Sequence, residues 1–382
     1  MIPYGRQDIS QTDIDAVVDV LRSDFLTQGP AVPKFEAAIC AEVGAAHGVA
    51  VNSATSALHI ACMALELGPG DVLWTVPNTF VASANVGLYC GATVDFVDID
   101  SATYCMSVSA LAAKLATAEA EGKLPKVLIP VHFAGQSADM VEIGTLARRY
   151  GVRVIEDASH AIGGSYRNQP IGNCAHSDIT VFSFHPVKII TTAEGGLATT
   201  NDSELAARMQ LYRSHGVTRE PGLMQAETVP GGWYYEQVAL GYNYRMTELQ
   251  AALGLSQLTR LQEFVARRHA LAQRYDALLA DLEVTLPAQS PDSYSALHLY
   301  PVQVPERDRI FPELRAAGIG VNVHYIPVHT QPFWQARGFA WGDFPVAEAY
   351  YRHAISLPIY YGLTEADQDR VVAALAAALA TT

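Results

Sequence analysis

Between residues 48 and 200, short β-branched runs alternate with stretches of helical periodicity, and few folds accept that alternation. The runs are GVAV (48–51), VLWTV (72–76), TVDFVD (93–98), KVLIPV (126–131), VRVIE (152–156), ITVFSF (179–184) and GLATT (196–200). Strands separated by helices in this way predict βαβ units around a mostly parallel sheet. Between them, Leu58, Ala61, Cys62 and Leu65 share one helical face, and SADMVEIGTLARRYG reads as an amphipathic helix closed by its glycine.

Residues 219–236, REPGLMQAETVPGGWYYE, break the pattern with Gly, Pro and polar side chains and predict a long surface loop. Beyond it, TELQAALGLSQLTRLQEFVARRHALAQRYDALLADL is helical in pattern for more than thirty residues. An extended ALHLYPVQV, a helix near 308–317 and VNVHYIP follow, then a tail helix opened by Thr364 and Asp367 in a capping-box arrangement. The expected organisation is a large α/β domain over 1–245 and a small α+β domain over 246–382. At 382 residues and 50% hydrophobic composition, the chain is long enough to give each its own core.

Charge and cysteine content narrow the classes of function. With 25 Lys and Arg against 39 Asp and Glu, the net charge of −14 repels polyanions and argues against nucleic acid as a partner. An anionic small substrate would need a local cationic pocket. The five cysteines have neither C-x-x-C spacing nor the density of a disulfide scaffold, so they read as reduced thiols, and no metal site is expected. The start MIPYGRQDIS has no basic segment before an apolar run, and VVAALAAALA is too short to span a bilayer. A soluble cytoplasmic protein with no membrane partner is the expectation.

The most informative segment for chemistry is TVFSFHPVKIITTAEGGLATT. It places Lys188 in a turn between two apolar strands, among Phe182, Phe184, Ile189 and Ile190. Desolvation disfavours an ammonium, and a lysine with a lowered pKa is a nucleophile able to form a Schiff base. Alone, the residue reads more readily as a lysine whose stem packs on apolar groups while its head reaches water.

Two further segments bear on it. In VIEDASHAIGGSY a strand ends in Glu156 and Asp157, at the carboxyl end where α/β folds bind ligands. A carboxylate there can keep a pyridinium nitrogen protonated, although an aspartate capping the next turn has the same pattern. His160 could touch such a ring or satisfy the loop. In VNSATSALHIA a strand passes through Asn52 and Ser53 into a helix whose first turn holds Ala54, Thr55 and Ser56. Small hydroxyl residues at a helix N-terminus suit a phosphate, and they also make an ordinary N-cap.

Taken together in order, LTQGPAVPKFE, NSATSALH, PNTFVASAN, IEDASHAIGG, SFHPVK, TTAEGG, RSHG, GYNYRMTELQAALGLSQL and VHYIPVH resemble one family along nearly the whole chain. It is the DegT/DnrJ/EryC1/StrS sugar aminotransferases, fold-type I enzymes that use pyridoxal 5′-phosphate. The resemblance implies a large mostly parallel αβα domain with a smaller C-terminal α+β domain. It implies Lys188 as the cofactor-bearing lysine, Asp157 under the pyridine nitrogen and His160 beside the ring. Ser183, Thr55 and the Ala54 backbone would hold the phosphate, and Phe80 would stack on the ring. It further implies a homodimer in which Asn243 reaches the cofactor phosphate of the neighbouring subunit, and L-glutamate as the amino donor.

A sugar ketone as acceptor needs a wide pocket with hydrogen-bonding side chains. His324 and Tyr325, with His185 beside the lysine, are candidates for its lining and fit structural roles equally. SFHPVK, TTAEGG and HYIPVHTQPFW most resemble the enzymes of pseudaminic-acid biosynthesis. That resemblance implies a UDP-linked acceptor, UDP-2-acetamido-2,6-dideoxy-β-L-arabino-hexos-4-ulose, aminated at C-4. The alternatives are a C-3 or C-4 aminotransferase for a dTDP- or GDP-linked keto-sugar, and a non-catalytic sensor on the same fold. The family's dehydratases carry histidine in place of the lysine, and Lys188 speaks against them. In a plain α/β domain without cofactor the lysine, aspartate and helix start would be unrelated details.

Overall fold

The structure, a computed structural model, describes residues 1–226 and 229–380; positions 227 and 228 of the expected loop and the last two residues lie outside that description. All seven expected runs form strands of one sheet: β1 His47–Val51, β2 Val72–Thr75, β3 Thr93–Phe96, β4 Val127–Ile129, β5 Arg153–Asp157, β6 Ile179–Ser183 and β7 Gly196–Thr200. Their spatial order is β1-β7-β6-β5-β4-β2-β3. Only β7 runs against its neighbours, pairing antiparallel with both β1 and β6. The other six therefore point one way, and β1, β5 and β6 deliver their carboxyl ends to a single edge.

Helices cover both faces. α3 (Ala54–Ala64) is buried nearly all round, which suits its run of Ala, Leu, Ile and Cys, and it packs against α4 (Ala82–Tyr89) and α7 (Ser203–Arg213). α6 (Met140–Tyr150) starts on the Asp139 side chain and ends on Gly151 in the left-handed conformation, as its sequence predicts. Gly196 opens β7 hard against the start of α3. A Cβ added there would stand 2.5 Å from the Ala54 nitrogen and 2.5 Å from the Ser53 carbonyl carbon, so only glycine allows this approach.

The long helical stretch after residue 247 is two helices, α8 (Glu248–Leu258) and α9 (Leu261–Leu279). Arg260 leaves helical geometry at φ −107°, ψ 6°; its guanidinium bonds Asp8 at 2.8 Å and lies over the Phe264 ring. α8 packs on α1 (Gln11–Leu21) and α2 (Ala31–Val43), whereas α9 reaches into a second core. That core joins Leu271, Tyr275, Val302, Ile310 and Leu375, and also takes in Ile2 from the other end of the chain. β8 (Tyr300–Gln303) and β9 (Ala354–Leu357) pair antiparallel within it, beside α10 (Arg307–Ala316) and a tail helix at Glu365–Leu379 with the expected capping box. Among the described residues no helix is long and apolar enough to cross a membrane.

Replacing Gly196 with alanine should push α3 and β7 apart. Overpacking of this kind costs about 1–3 kcal/mol. Thermal unfolding should show a lower Tm than wild type; an unchanged Tm contradicts the close approach.

Candidate active site

Lys188 stands in the connection from β6 to β7. Its backbone N–H donates to the His185 carbonyl at 2.9 Å, and Phe184 anchors the turn by donating to Gly195 O and accepting from Thr192 N. Phe184, Ile189 and Ile190, its neighbours along the chain, are buried. Part of the Lys188 surface still reaches solvent, but the amine is enclosed. Burial pulls its pKa from 10.5 to about 8, with the negative charge of Asp157 acting the other way.

The two neighbouring acids at the end of β5 face opposite sides of the sheet, as strand alternation requires. Glu156 bonds His132 Nε2 at 2.7 Å and accepts from Ser177 Oγ at 2.5 Å. Because the Ala138 N–H donates to His132 Nδ1 at 3.1 Å, the ring hydrogen sits on Nε2 and points at Glu156. Burial is the largest single influence on the Glu156 carboxyl and would raise it; the bond and charge of His132, the Ser177 bond and the His176 charge together outweigh it and hold the carboxyl below its usual range. Asp157 accepts from Ser83 Oγ at 2.7 Å and from the Ser159 N–H at 3.1 Å, and is 5% exposed. Two donors leave acceptor capacity on this carboxylate for a cation.

His160 lies deeper, its Nε2 sharing a 3.0 Å hydrogen bond with Tyr325 Oη and its ring nearly parallel to that of Tyr325. Burial, then the nearby Lys188 charge, push the His160 pKa well below 6.5, so the ring is neutral. Its Nδ1 is buried with no partner among the described residues. The Tyr325 N–H donates to Asn78 Oδ1 at 3.1 Å. His324 bonds Ser356 Oγ through Nδ1 at 2.8 Å, and burial followed by the Lys188 charge takes its pKa to about 3. Phe80 is 60% exposed, with its ring centroid 6.4 Å from that of Tyr325.

Ser53 caps α3 in extended geometry, its Oγ accepting from Ser56 N at 3.1 Å. The N–H groups of Ala54 and Thr55 in the first turn have no carbonyl inside the helix to bond. Ser183 ends β6, paired with Gly196 across the same edge. Asn243 is exposed; its carbonyl accepts from Asn52 Nδ2 at 3.4 Å, which keeps the GYNYR loop beside the α3 start. His185 is set apart, half exposed and 3.9 Å from Glu194.

The fold thus gathers Lys188, Asp157, His160, His324 and Tyr325 around one space, with Ala54, Thr55 and Ser183 at the adjoining strand ends. Ser83 and Asn78 fall within PNTFVASAN, yet no local pattern assigns either a part in it; each acts on a residue distant in sequence. The donor set fits pyridoxal phosphate. Clustered N–H groups suit its phosphate, a buried carboxylate its pyridinium and an enclosed amine its aldehyde, and a Cβ at Gly196 would crowd the N–H of Ala54 at the α3 start.

At pH 7 a pKa near 8 leaves about one Lys188 in ten neutral, against roughly one in three thousand for an ordinary lysine. Labelling of the cofactor-free protein with trinitrobenzenesulfonate, read by peptide mass, should therefore give a Lys188 rate that rises with pH through a midpoint near 8. A midpoint above pH 10 contradicts the desolvation.

Residues 7–376 match the DegT/DnrJ/EryC1/StrS aminotransferase family. The spore coat polysaccharide biosynthesis protein SpsC of Bacillus subtilis is 39% identical over 98% of this chain and 96% of its own. The UDP-4-amino-4,6-dideoxy-N-acetyl-beta-L-altrosamine transaminase of Campylobacter jejuni is 37% identical over 94% and 93%. Among solved structures, the putative sugar aminotransferase Spr1654 of Streptococcus pneumoniae in its PMP-form superposes with a TM-score of 0.91 at 31% identity, covering 100% of this chain and 99% of that one. Helicobacter pylori PseC, an aminotransferase of pseudaminic-acid biosynthesis, gives 0.91 at 31% identity over all of both chains. Spr1654 is also known in a PLP-form. The chain belongs to the DegT/DnrJ/EryC1/StrS aminotransferase family and is a fold-type I, pyridoxal-phosphate-dependent sugar aminotransferase.

Proposed function

We propose that this aminotransferase moves the amino group of L-glutamate to C-4 of UDP-2-acetamido-2,6-dideoxy-β-L-arabino-hexos-4-ulose. The products are 2-oxoglutarate and UDP-4-amino-4,6-dideoxy-N-acetyl-β-L-altrosamine, so nitrogen and two electrons pass from donor carbon to sugar carbon. The observation that carries this reading is the near full-length match to the Campylobacter jejuni transaminase, whose name states that product. The full-length superposition on PseC supports it.

In this reading Lys188, Asp157 and the α3 start hold the cofactor, with Ser183 and Phe80 beside it. Bound there, pyridoxal phosphate supplies a carbonyl carbon for amines and a cationic ring that accepts an electron pair when a C–H bond breaks. Lys188 Nζ takes the proton from the donor carbon and, in the second half-reaction, returns one to the sugar carbon. A positioned proton carrier of this kind is worth about a hundred- to ten-thousandfold in rate. Its depressed pKa suits both directions near neutral pH. Asp157, fixed by Ser83 and the Ser159 N–H, would face the ring nitrogen of the bound cofactor. His160 and Tyr325 form the uncharged wall beside the cofactor, and His324 lines the acceptor's side. The working form is a homodimer, with Asn243, exposed on this chain, reaching the neighbouring cofactor phosphate.

A second reading changes only the sugar, to a dTDP- or GDP-linked keto-sugar aminated at C-3 or C-4; the match to SpsC, named for another polysaccharide, favours weighing it. Product analysis separates them. Purified enzyme with glutamate should aminate the UDP-linked β-L-arabino ketone faster than a dTDP- or GDP-4-keto-6-deoxyhexose. Amination of either rival while the UDP-linked ketone is left untouched would overturn the assignment.

A further inference from the structure

His298 lies outside the segments that bear the cofactor-binding pattern, yet the fold fixes it more tightly than packing requires. The preceding Leu297 sits in the left-handed region at φ 50°, a conformation a branched side chain adopts only when its surroundings impose it. Gly135, itself at φ 104°, lets the Phe133–Gly135 turn press on this backbone. A Cβ there would stand 2.7 Å from Leu297 N and 3.0 Å from both His298 N and His160 O. Ala296 donates to the Gly135 carbonyl at 3.0 Å and Leu297 to Ser295 Oγ at 3.0 Å.

The third restraint is a buried charge. Arg268, 3% exposed on α9, has no carboxylate partner among the described residues. Its Nη1 donates to the carbonyls of Leu297 at 3.1 Å, His298 at 3.2 Å and Ile359 at 3.0 Å. A guanidinium desolvated without a counter-ion and spent on main-chain carbonyls is an uncommon arrangement. What it holds in place is the His298 ring, 4.5 Å from the His160 ring and 5% exposed, with Nδ1 unpartnered like that of His160.

We propose that His298 is a positioning residue of the transamination site, which backs the His160 ring and adds its imidazole edge to the space around Lys188. The titratable groups facing it are Lys188, His160, Arg268 and His324, all four of them basic. Burial, then the Lys188 charge, push the His298 pKa well below its usual value, so the imidazole stays neutral beside the amine. A neutral polar edge eases the ammonium form of Lys188 without adding a second charge. The proposal rests on Lys188 being the cofactor-bearing amine, and not on the identity of the sugar.

The test uses the glutamate half-reaction of the holoenzyme and amine labelling of the cofactor-free protein, in His298→Phe and His298→Gln. In the phenylalanine variant the half-reaction should slow about tenfold with little change in the glutamate concentration at half-saturation. The Lys188 labelling midpoint should move below that of wild type by about half a unit, because the ammonium loses a polar neighbour. Glutamine should restore most of both. Wild-type rate and midpoint in the phenylalanine variant, or equal impairment of both variants with the midpoint unmoved, overturn the proposal. Should the phenylalanine variant not fold, 15N-histidine spectra of the wild-type protein, assigned with His298→Gln, decide it. The His298 ring signals should shift as Lys188 titrates near pH 8, and signals indifferent to that titration overturn it. A wild-type holoenzyme in which Lys188 does not carry the cofactor would instead fail at the reading on which this rests.

Discussion

An amine that attacks carbonyls near neutral pH has to be kept out of water, and the carboxylate beside it has to be held by donors that cannot leave. The space around Lys188 and Asp157 meets both demands at once. Burial desolvates the amine, and its pull toward neutrality is limited by Asp157. Ser83 and the Ser159 N–H keep the carboxylate in place. The parallel sheet makes the meeting possible, since it brings the ends of β1, β5 and β6 to one edge while the reversed strand β7 returns from the lysine turn to the helix start. The close approach at Gly196 is the local consequence of that reversal.

The division of labour between Glu156 and Asp157 follows from the same strand. Adjacent residues point to opposite faces, so one carboxylate joins His132 and Ser177 in a closed buried network and the other opens into the site. The histidines obey a similar economy of charge. His160, His298 and His324 are all driven toward the neutral form by burial first and by Lys188 next, which leaves the lysine as the group whose proton can come and go.

Much of the fold was legible because its signals are local. Each of the seven strands is a β-branched run, the α6 cap is an aspartate and a glycine at the right positions, and the Thr364–Asp367 box lies within four residues. Lys188, Asp157 and the α3 start could be singled out as candidates for the same reason, each as a short pattern, and a resemblance along the chain joined them. What stayed hidden depends on distant partners. The break between α8 and α9 has no Gly or Pro to announce it; Arg260 is drawn away by Asp8 near the other end of the chain. Ser83 matters through Asp157, Tyr325 through His160, and His298 through Arg268 and Gly135, and none of these pairings has a period or a spacing.

The central claim is that Lys188 carries the cofactor. Borohydride reduction of the holoenzyme followed by proteolysis and peptide mass mapping tests it directly. The account predicts the reduced pyridoxyl phosphate adduct on the peptide containing Lys188 and on no other lysine, with the adduct lost in Lys188→Ala. An adduct on a different lysine, or one that persists in that variant at wild-type yield, would contradict it.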